Sequence, residues 1–176
     1  MFERYAEPAR RAVYFARLFA LVEHAPGIDT VHLLNALMND SNSRANTILN
    51  LREYFPICCY LPWRYASKDL IPDRDVPLDY LARSVYRKTD REGRAMGDYW
   101  IDTEHLLLGI LAEKGCPGER YLAQAGITLE NARRLIIENK ASRPDYGPVP
   151  AGWDKQSIWQ RLISKWKSRT RARAAT

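Results

Sequence analysis

A seven-residue block recurs in this chain at a spacing of 73 residues, and that recurrence limits the fold more than any other feature. Ile28-Asp29-Thr30-Val31-His32-Leu33-Leu34 lies over Ile101-Asp102-Thr103-Glu104-His105-Leu106-Leu107, with Val31 against Glu104 the single difference. The same offset sets Ala9-Arg10 over Ala82-Arg83 and Ala12-Val13 over Val85-Tyr86. One position later, Ile48 falls over Leu122. Order and spacing that agree across four blocks imply a duplicated supersecondary unit whose apolar face is covered by its second copy.

Each block reads as helix. Phe2, Tyr5, Ala9, Ala12, Val13, Ala16, Phe19 and Ala20 recur at steps of three and four, with Arg10, Arg11 and Arg17 on the other side. Pro8 moves the helix start to about Glu7, and Pro26-Gly27 is expected to stop it. Thr30 and Thr103 are placed to cap the next helix, and Glu104 would oppose the dipole in its first turn. Leu33, Leu34 and Leu37 repeat as Leu106, Leu107 and Ile110, a buried face in each copy. Gly115-Cys116-Pro117-Gly118 precedes a short helix with Tyr121, Leu122 and Ala125; Gly126 ends it and Thr128 opens another over 129–138. Gly93 and Gly97 read as a turn in an exposed connection. The expectation is all-α: two tandem four-helix repeats, with no run suited to a sheet.

Two stretches fit less well. Residues 53–76 hold Pro56, Pro62, Pro72 and an aromatic cluster where the fourth helix of copy one should fall, so an irregular loop with a short helix is expected. Residues 139–154, with three prolines and two glycines, have linker composition. After them Ile158, Trp159, Leu162, Ile163 and Trp166 recur at helical spacing among lysines and arginines. The expected organisation is a double repeat at 1–138 (copies 1–75 and 76–138), a linker at 139–154 and a basic amphipathic helix at 155–176.

Composition narrows the function. A content of 46% hydrophobic and 27% charged residues is ordinary for a folded domain. No run reaches the roughly 18 to 20 apolar residues of a membrane span, and the N-terminus lacks signal-peptide zones, so a cytoplasmic protein is the default. Cys58, Cys59 and Cys116 form neither a disulfide framework nor a zinc spacing. His32 and His105 lack ligand-spaced partners and a metalloprotease pattern, which leaves them structural hydrogen-bonding roles. No carboxylate pair, serine elbow or glycine cradle stands out, so neither an enzyme nor a cofactor is expected. Residues 139–176 carry nine basic and two acidic residues, net +7, whereas 1–138 carry eighteen and nineteen, net −1. A basic partner-binding feature therefore belongs to the tail.

FERYAEPARRAVYFA near the start, IDTVHLLNAL, IDTEHLLLGIL and GITLENARRLI resemble the tandem Clp N-terminal repeats of the Clp/Hsp100 unfoldases, the ClpC type above all. The resemblance spans roughly residues 1–138 and is weak at 53–76. It implies an eight-helix bundle with pseudo-twofold symmetry that recruits adaptors and substrates and does no chemistry. No GxxxxGK[ST] loop is present, so the resemblance is to a stand-alone repeat protein without ATPase modules. ClpC-type domains also take arginine-phosphorylated proteins through the acid before the histidine of each repeat. Carried over, Glu104 keeps that acid and Val31 loses it, which leaves Thr30, Thr103 and Glu104 as candidate protein- or phosphoarginine-binding residues.

The resulting expectation is a non-catalytic adaptor, modulator or substrate receptor whose partner is a Clp/Hsp100 ATPase, its adaptor or its substrates. For the tail, Trp159, Leu162, Ile163 and Trp166 would dock on the repeat domain or into a partner's groove. The rival class is a protein bound through that tail to nucleic acid or an anionic membrane.

Overall fold

The computed structural model describes residues 3–51 and 75–149. Among them are seven α-helices: α1 Glu7–Val22, α2 Thr30–Asn39, α3 Arg44–Leu49, α4 Tyr80–Ala95, α5 Thr103–Ala112, α6 Pro117–Gln124 and α7 Leu129–Glu138, followed by a 3-10 turn at Lys140–Ser142. The chain is all-α. The expected fourth helix of copy one, Cys58, Cys59, the aromatic loop and the tail helix with Trp159, Leu162, Ile163 and Trp166 lie outside the described residues.

The two central helices are α2 and α5. α5 is apolar nearly all round, TEHLLLGILA, and residues 103–111 are all buried, as a helix without a polar face must be. α1 packs on α2 and α4 on α5, each through a stripe of small or apolar residues: Ala9, Ala12, Ala16 and Phe19 on α1, Ala82, Val85, Tyr86 and Thr89 on α4. α1 begins at Glu7 with Pro8 in its first turn. It stops at Val22, ahead of Pro26-Gly27, with His24 taking a left-handed conformation at φ 53°.

Backbone pairing displays the duplication directly. Tyr5 bridges Ile101, and Leu78 bridges Ile28. Adding the repeat offset to Tyr5 gives Leu78, and subtracting it from Ile101 gives Ile28, so the two bridges are images of each other. Their hydrogen bonds match: Ala6 N–H to Ile101 C=O (2.8 Å) and Ile101 N–H to Arg4 C=O (2.7 Å) mirror Asp79 N–H to Ile28 C=O (3.0 Å) and Ile28 N–H to Pro77 C=O (2.8 Å). Each copy's lead-in thus pairs with the other copy, which makes the halves one pseudo-twofold bundle.

The copies fill equivalent helix crossings with different volumes. In copy two, Gly109 on α5 faces Val85 and Thr89 of α4, where a Cβ would sit 2.1 Å from Thr89 Oγ1 and 2.8 Å from the Val85 carbonyl. Copy one has Ala36 on α2 with Ala12 and Ala16 on α1, all buried. Glycine permits the larger pair on α4; smaller residues on α1 admit alanine on α2. Gly93, expected in an exposed turn, is instead buried inside α4, where a Cβ would lie 2.4 Å from Ile101 Cδ1. Close packing against Ile101, not a turn, accounts for that glycine.

Candidate protein-binding site

The repeated Asp-Thr-x-His block builds the same device at the start of α2 and of α5. Asp29 and Asp102, rather than the threonines, are the N-caps. Asp29 Oδ1 accepts from Val31 N–H (2.8 Å) and His32 N–H (2.9 Å), and Asp102 Oδ1 accepts from Thr103 N–H (2.6 Å). His32 and His105 complete capping boxes, their Nδ1 accepting from the Asp29 (3.0 Å) and Asp102 (2.9 Å) backbone N–H groups. Each Nε2 reaches a second acid, Glu23 at 3.1 Å and Asp98 at 3.2 Å. The histidines are therefore held at both ring nitrogens.

The expected threonine caps are corrected accordingly. A carboxylate one residue earlier is a stronger acceptor and already sits in extended conformation at the cap position. Both threonine hydroxyls instead cross the dyad. Thr30 Oγ1 accepts from Gly118 N–H at the start of α6 (3.1 Å), and Thr103 Oγ1 from Ala45 N–H at the start of α3 (3.3 Å). Ala45 and Gly118 are themselves related by the repeat offset. Thr30 and Thr103 are fully buried, and their hydroxyls tie the copies together.

The resemblance ends at the next position. Val31 is partly buried. Glu104 is fully buried and bridges two guanidinium groups: Oε2 takes Arg44 Nε at 2.6 Å, and Oε1 takes Arg143 Nη2. Arg143 also reaches Asp98 through Nη1 (2.7 Å), and Lys140 Nζ binds the other Asp98 oxygen (2.7 Å). Tyr146 donates its hydroxyl proton to Asp102 Oδ2, and the Trp100 indole N–H donates to Gly147 C=O (3.2 Å). Arg44 ties α3 to the chain after α7, donating to Ser142 C=O (2.9 Å) and Asn139 C=O (3.1 Å).

Residues 139–149, linker-like in composition, thus lie across copy two as a strap. A cavity of about 260 Å³ remains beneath it, lined in part by Asp98, Trp100, Arg143 and Tyr146.

Charge in the site is set by these contacts. Burial pushes the Asp98 carboxyl up, but hydrogen bonds from His105 and Arg143 outweigh it and hold the group well below the usual carboxylate range. Burial lowers the Lys140 pKa despite Asp98 beside it. The Tyr146 hydroxyl is raised by burial and by its carboxylate acceptor. The cluster is built to hold cationic nitrogen, and among the described residues no group of three His, Cys, Asp or Glu is arranged for a metal.

At the equivalent place in copy one, Ala25 stands for Asp98, Val31 for Glu104 and Pro117 for Arg44. The Asp29 side chain keeps 38% of its exposure, whereas Asp102 is wholly buried. There burial pushes the His32 pKa down, and the hydrogen bond and charge of Asp29, with Glu23, more than reverse it and raise the value. Thr30, Thr103 and Glu104 stand out in the repeated block and the resemblance it carries. Asp98, Arg44, Lys140, Arg143, Tyr146 and Trp100 do not, because no spacing links them and Arg143 looked like one charge of a basic tail.

The fold is that of the Clp/Hsp100 N-terminal domain. The N-terminal domain of the Clp protease-associated chaperone ClpD from Arabidopsis thaliana superposes with a TM-score of 0.55 at 19% identity, covering 80% of this chain and 97% of that one. The Hsp104 N-terminal domain from Candida albicans does so at 0.56 and 17%, covering 80% and 94%.

No protein-family model matches the chain. Uncharacterized proteins of Mycobacterium bovis and Mycobacterium tuberculosis are 28% identical over 141 residues, 80% of this chain and 55% of theirs, so it spans about half the length of these relatives. The chaperone protein ClpB 1 of Parasynechococcus marenigrum is 28% identical over 139 residues, 76% of this chain and 16% of that protein.

Proposed function

We propose that this chain is a non-catalytic protein-binding domain, serving as adaptor, modulator or substrate receptor for a Clp/Hsp100 unfoldase–protease system. The observation that carries the reading is Glu104, a fully buried carboxylate at the start of α5 whose two oxygens both hold guanidinium groups. Paired carboxylates around a planar cation are the geometry that recognises an arginine side chain, and they supply binding without any group poised for bond-breaking. The Clp N-terminal-domain fold supports the same class. Glu104 is the candidate contact for an arginine or phosphoarginine of a partner. Thr30 and Thr103 serve it by locking α6 and α3 beside the two helix starts.

Capture of partners by the immobilised full chain, identified by mass spectrometry, tests the reading. Enrichment of a Clp ATPase, its adaptor or its substrates is expected, and repeated absence of all three would sink it. Titration with free phosphoarginine tests the site, and unchanged affinity in Glu104→Ala would remove Glu104 from the role.

The net +7 charge of residues 139–176 supports one rival, binding of nucleic acid or an anionic membrane. Two of its nine cations, Lys140 and Arg143, are engaged with Asp98 and Glu104. The rival requires binding that disappears on truncation after Asp154 and falls steeply with salt. Among the described residues no helix is long and apolar enough to cross a membrane.

A further inference from the structure

The strap over copy two is attached in an unusual way. None of residues 139–149 is buried, so this stretch adds nothing to the apolar core. Beyond Ser142 it has no helix, and what holds it to copy two is polar: Lys140 and Arg143 on Asp98, Arg143 on Glu104, Tyr146 on Asp102, and Trp100 on the Gly147 carbonyl. The fit is also incomplete. The Arg143 Nε is buried with no hydrogen-bond partner, and a cavity of about 260 Å³ lined by both strap and body lies beside these contacts.

The charges explain why the strap lies there at all. Asp98, Asp102 and Glu104 are each less than a tenth exposed, and among the described residues of copy one Arg44 is the arginine that pairs with them. Without the strap Asp98 would lose both of its Lys and Arg partners and Asp102 and Glu104 would share Arg44 alone, which the low dielectric makes unfavourable. Lys140 and Arg143 supply two further cations. Copy one, with Ala25 and Val31 in place of Asp98 and Glu104, has no such requirement.

We propose that residues 139–149 are a cis occupant of the Asp98–Asp102–Glu104 site: Arg143 fills from within the chain the place that an arginine-bearing segment of a partner protein takes, and the strap must leave for that segment to enter. The inference rests on the protein-binding reading above and adds regulation to it. Because these contacts of the strap are polar and a competing arginine reproduces those of Arg143, exchange leaves the core untouched. Affinity for the partner is reduced by the fraction of time the strap is closed.

The test uses the full chain, the peptide acetyl-Ala-Arg-Ala-amide as probe and its citrulline analogue as the neutral control. The first readout is hydrogen exchange of the Trp100 indole N–H, followed by NMR, since that proton is bound to the strap. In Arg143→Ala the indole proton exchanges about tenfold faster or more, and the arginine peptide binds about tenfold tighter than to the wild type. The citrulline peptide binds neither. Tyr146→Phe, which keeps both cations and removes one hydroxyl, moves both readouts the same way by less and serves should Arg143→Ala fail to fold.

Equal Trp100 protection in variants and wild type overturns the strap, as does an arginine peptide that binds all forms alike or none. The two readings fail separately. Capture without Clp components removes the assignment to that system whatever Trp100 does, and an unmoved Trp100 removes the strap while leaving the capture result standing.

Discussion

The first turns of α2 and α5 begin from nearly the same seven residues and end as different surfaces. Both have an aspartate cap, a histidine closing the capping box and a threonine hydroxyl crossing to the opposite copy. At α2 this scaffold carries Val31 and a half-open Asp29; at α5 it carries Glu104, buried under Arg44 and Arg143. What the copies share is what holds the bundle together. What they do not share is charge, and on the proposed function charge sets which of the two helix starts would take a cationic partner.

The largest expected effect comes from making copy two resemble copy one at that position. Glu104→Val takes from the guanidinium groups of Arg44 and Arg143, each about 12% exposed, the carboxylate they share, leaving Arg143 on Asp98 and Arg44 only the more distant Asp102. Breaking a buried pair in this way costs about 3–5 kcal/mol. Urea unfolding measures it, and a loss below about 1 kcal/mol would show that the pair is solvated and the comparison overdrawn.

Next is the helix crossing. Gly109→Ala should destabilise by about 1–3 kcal/mol through overpacking against Thr89 and Val85, and adding Thr89→Ala should restore part of the loss. The double variant has alanine at both positions, as copy one has at Ala36 and Ala16, and keeps Val85 where copy one has Ala12. Thermal unfolding of the two variants compares them, and no recovery would mean that backbone contacts, not Thr89, set the limit.

Removal of the exposed cap, Asp29→Ala, should cost about 1 kcal/mol. Asp102→Ala should cost more, because it also unpairs the Tyr146 hydroxyl. Equal losses in denaturant unfolding would contradict the different burial of the two aspartates.

The smallest effect is on pH. His32 has a raised pKa, so its titration by NMR should be centred above the ordinary 6.5. The stabilisation from protonated His32, whose Nδ1 then donates to Asp29 Oδ1 2.8 Å away instead of accepting from the backbone, is fully present below about 6.5 and is lost as pH rises through the folded value. Asp98 behaves in the opposite sense: its lowered pKa gives stability that is present above the usual carboxylate range and is lost only as pH falls below it. A His32 midpoint at or below 6.5 would mean that burial outweighs Asp29 and Glu23.

The fold was legible because its signals are local and repeated. The spacing of the Asp-Thr-x-His-Leu-Leu block, the 3-and-4 stripes and the breaks at Gly115-Cys116-Pro117-Gly118 and Gly126 place α2, α5, α6 and α7 where they lie. Glu104 stood out by way of the family resemblance as a candidate contact for a partner's phosphoarginine, whereas its pairing with two arginines of this chain was not legible. Arg143 is 39 residues from Glu104 and Arg44 is 60 away, distances that no helical periodicity encodes. Composition was misleading twice. Prolines and glycines made residues 139–149 look like a spacer, although three polar side chains anchor them, and Gly93 looked like a turn although it makes room for Ile101. The capping error has a simpler source, since Asp29 and Asp102 stand one residue before the threonines and a carboxylate outcompetes a hydroxyl for the same amides.

One measurement bears most directly on the inequivalence of the two copies. It is an amide-resolved NMR titration of free phosphoarginine into the Arg143→Ala chain, where the Arg143 guanidinium no longer fills the site. Shifts confined to Thr103, Glu104, His105 and their neighbours, with Thr30, Val31 and His32 unmoved, are the expected result. Shifts of equal size at both helix starts, or at the Val31 side alone, would contradict the account.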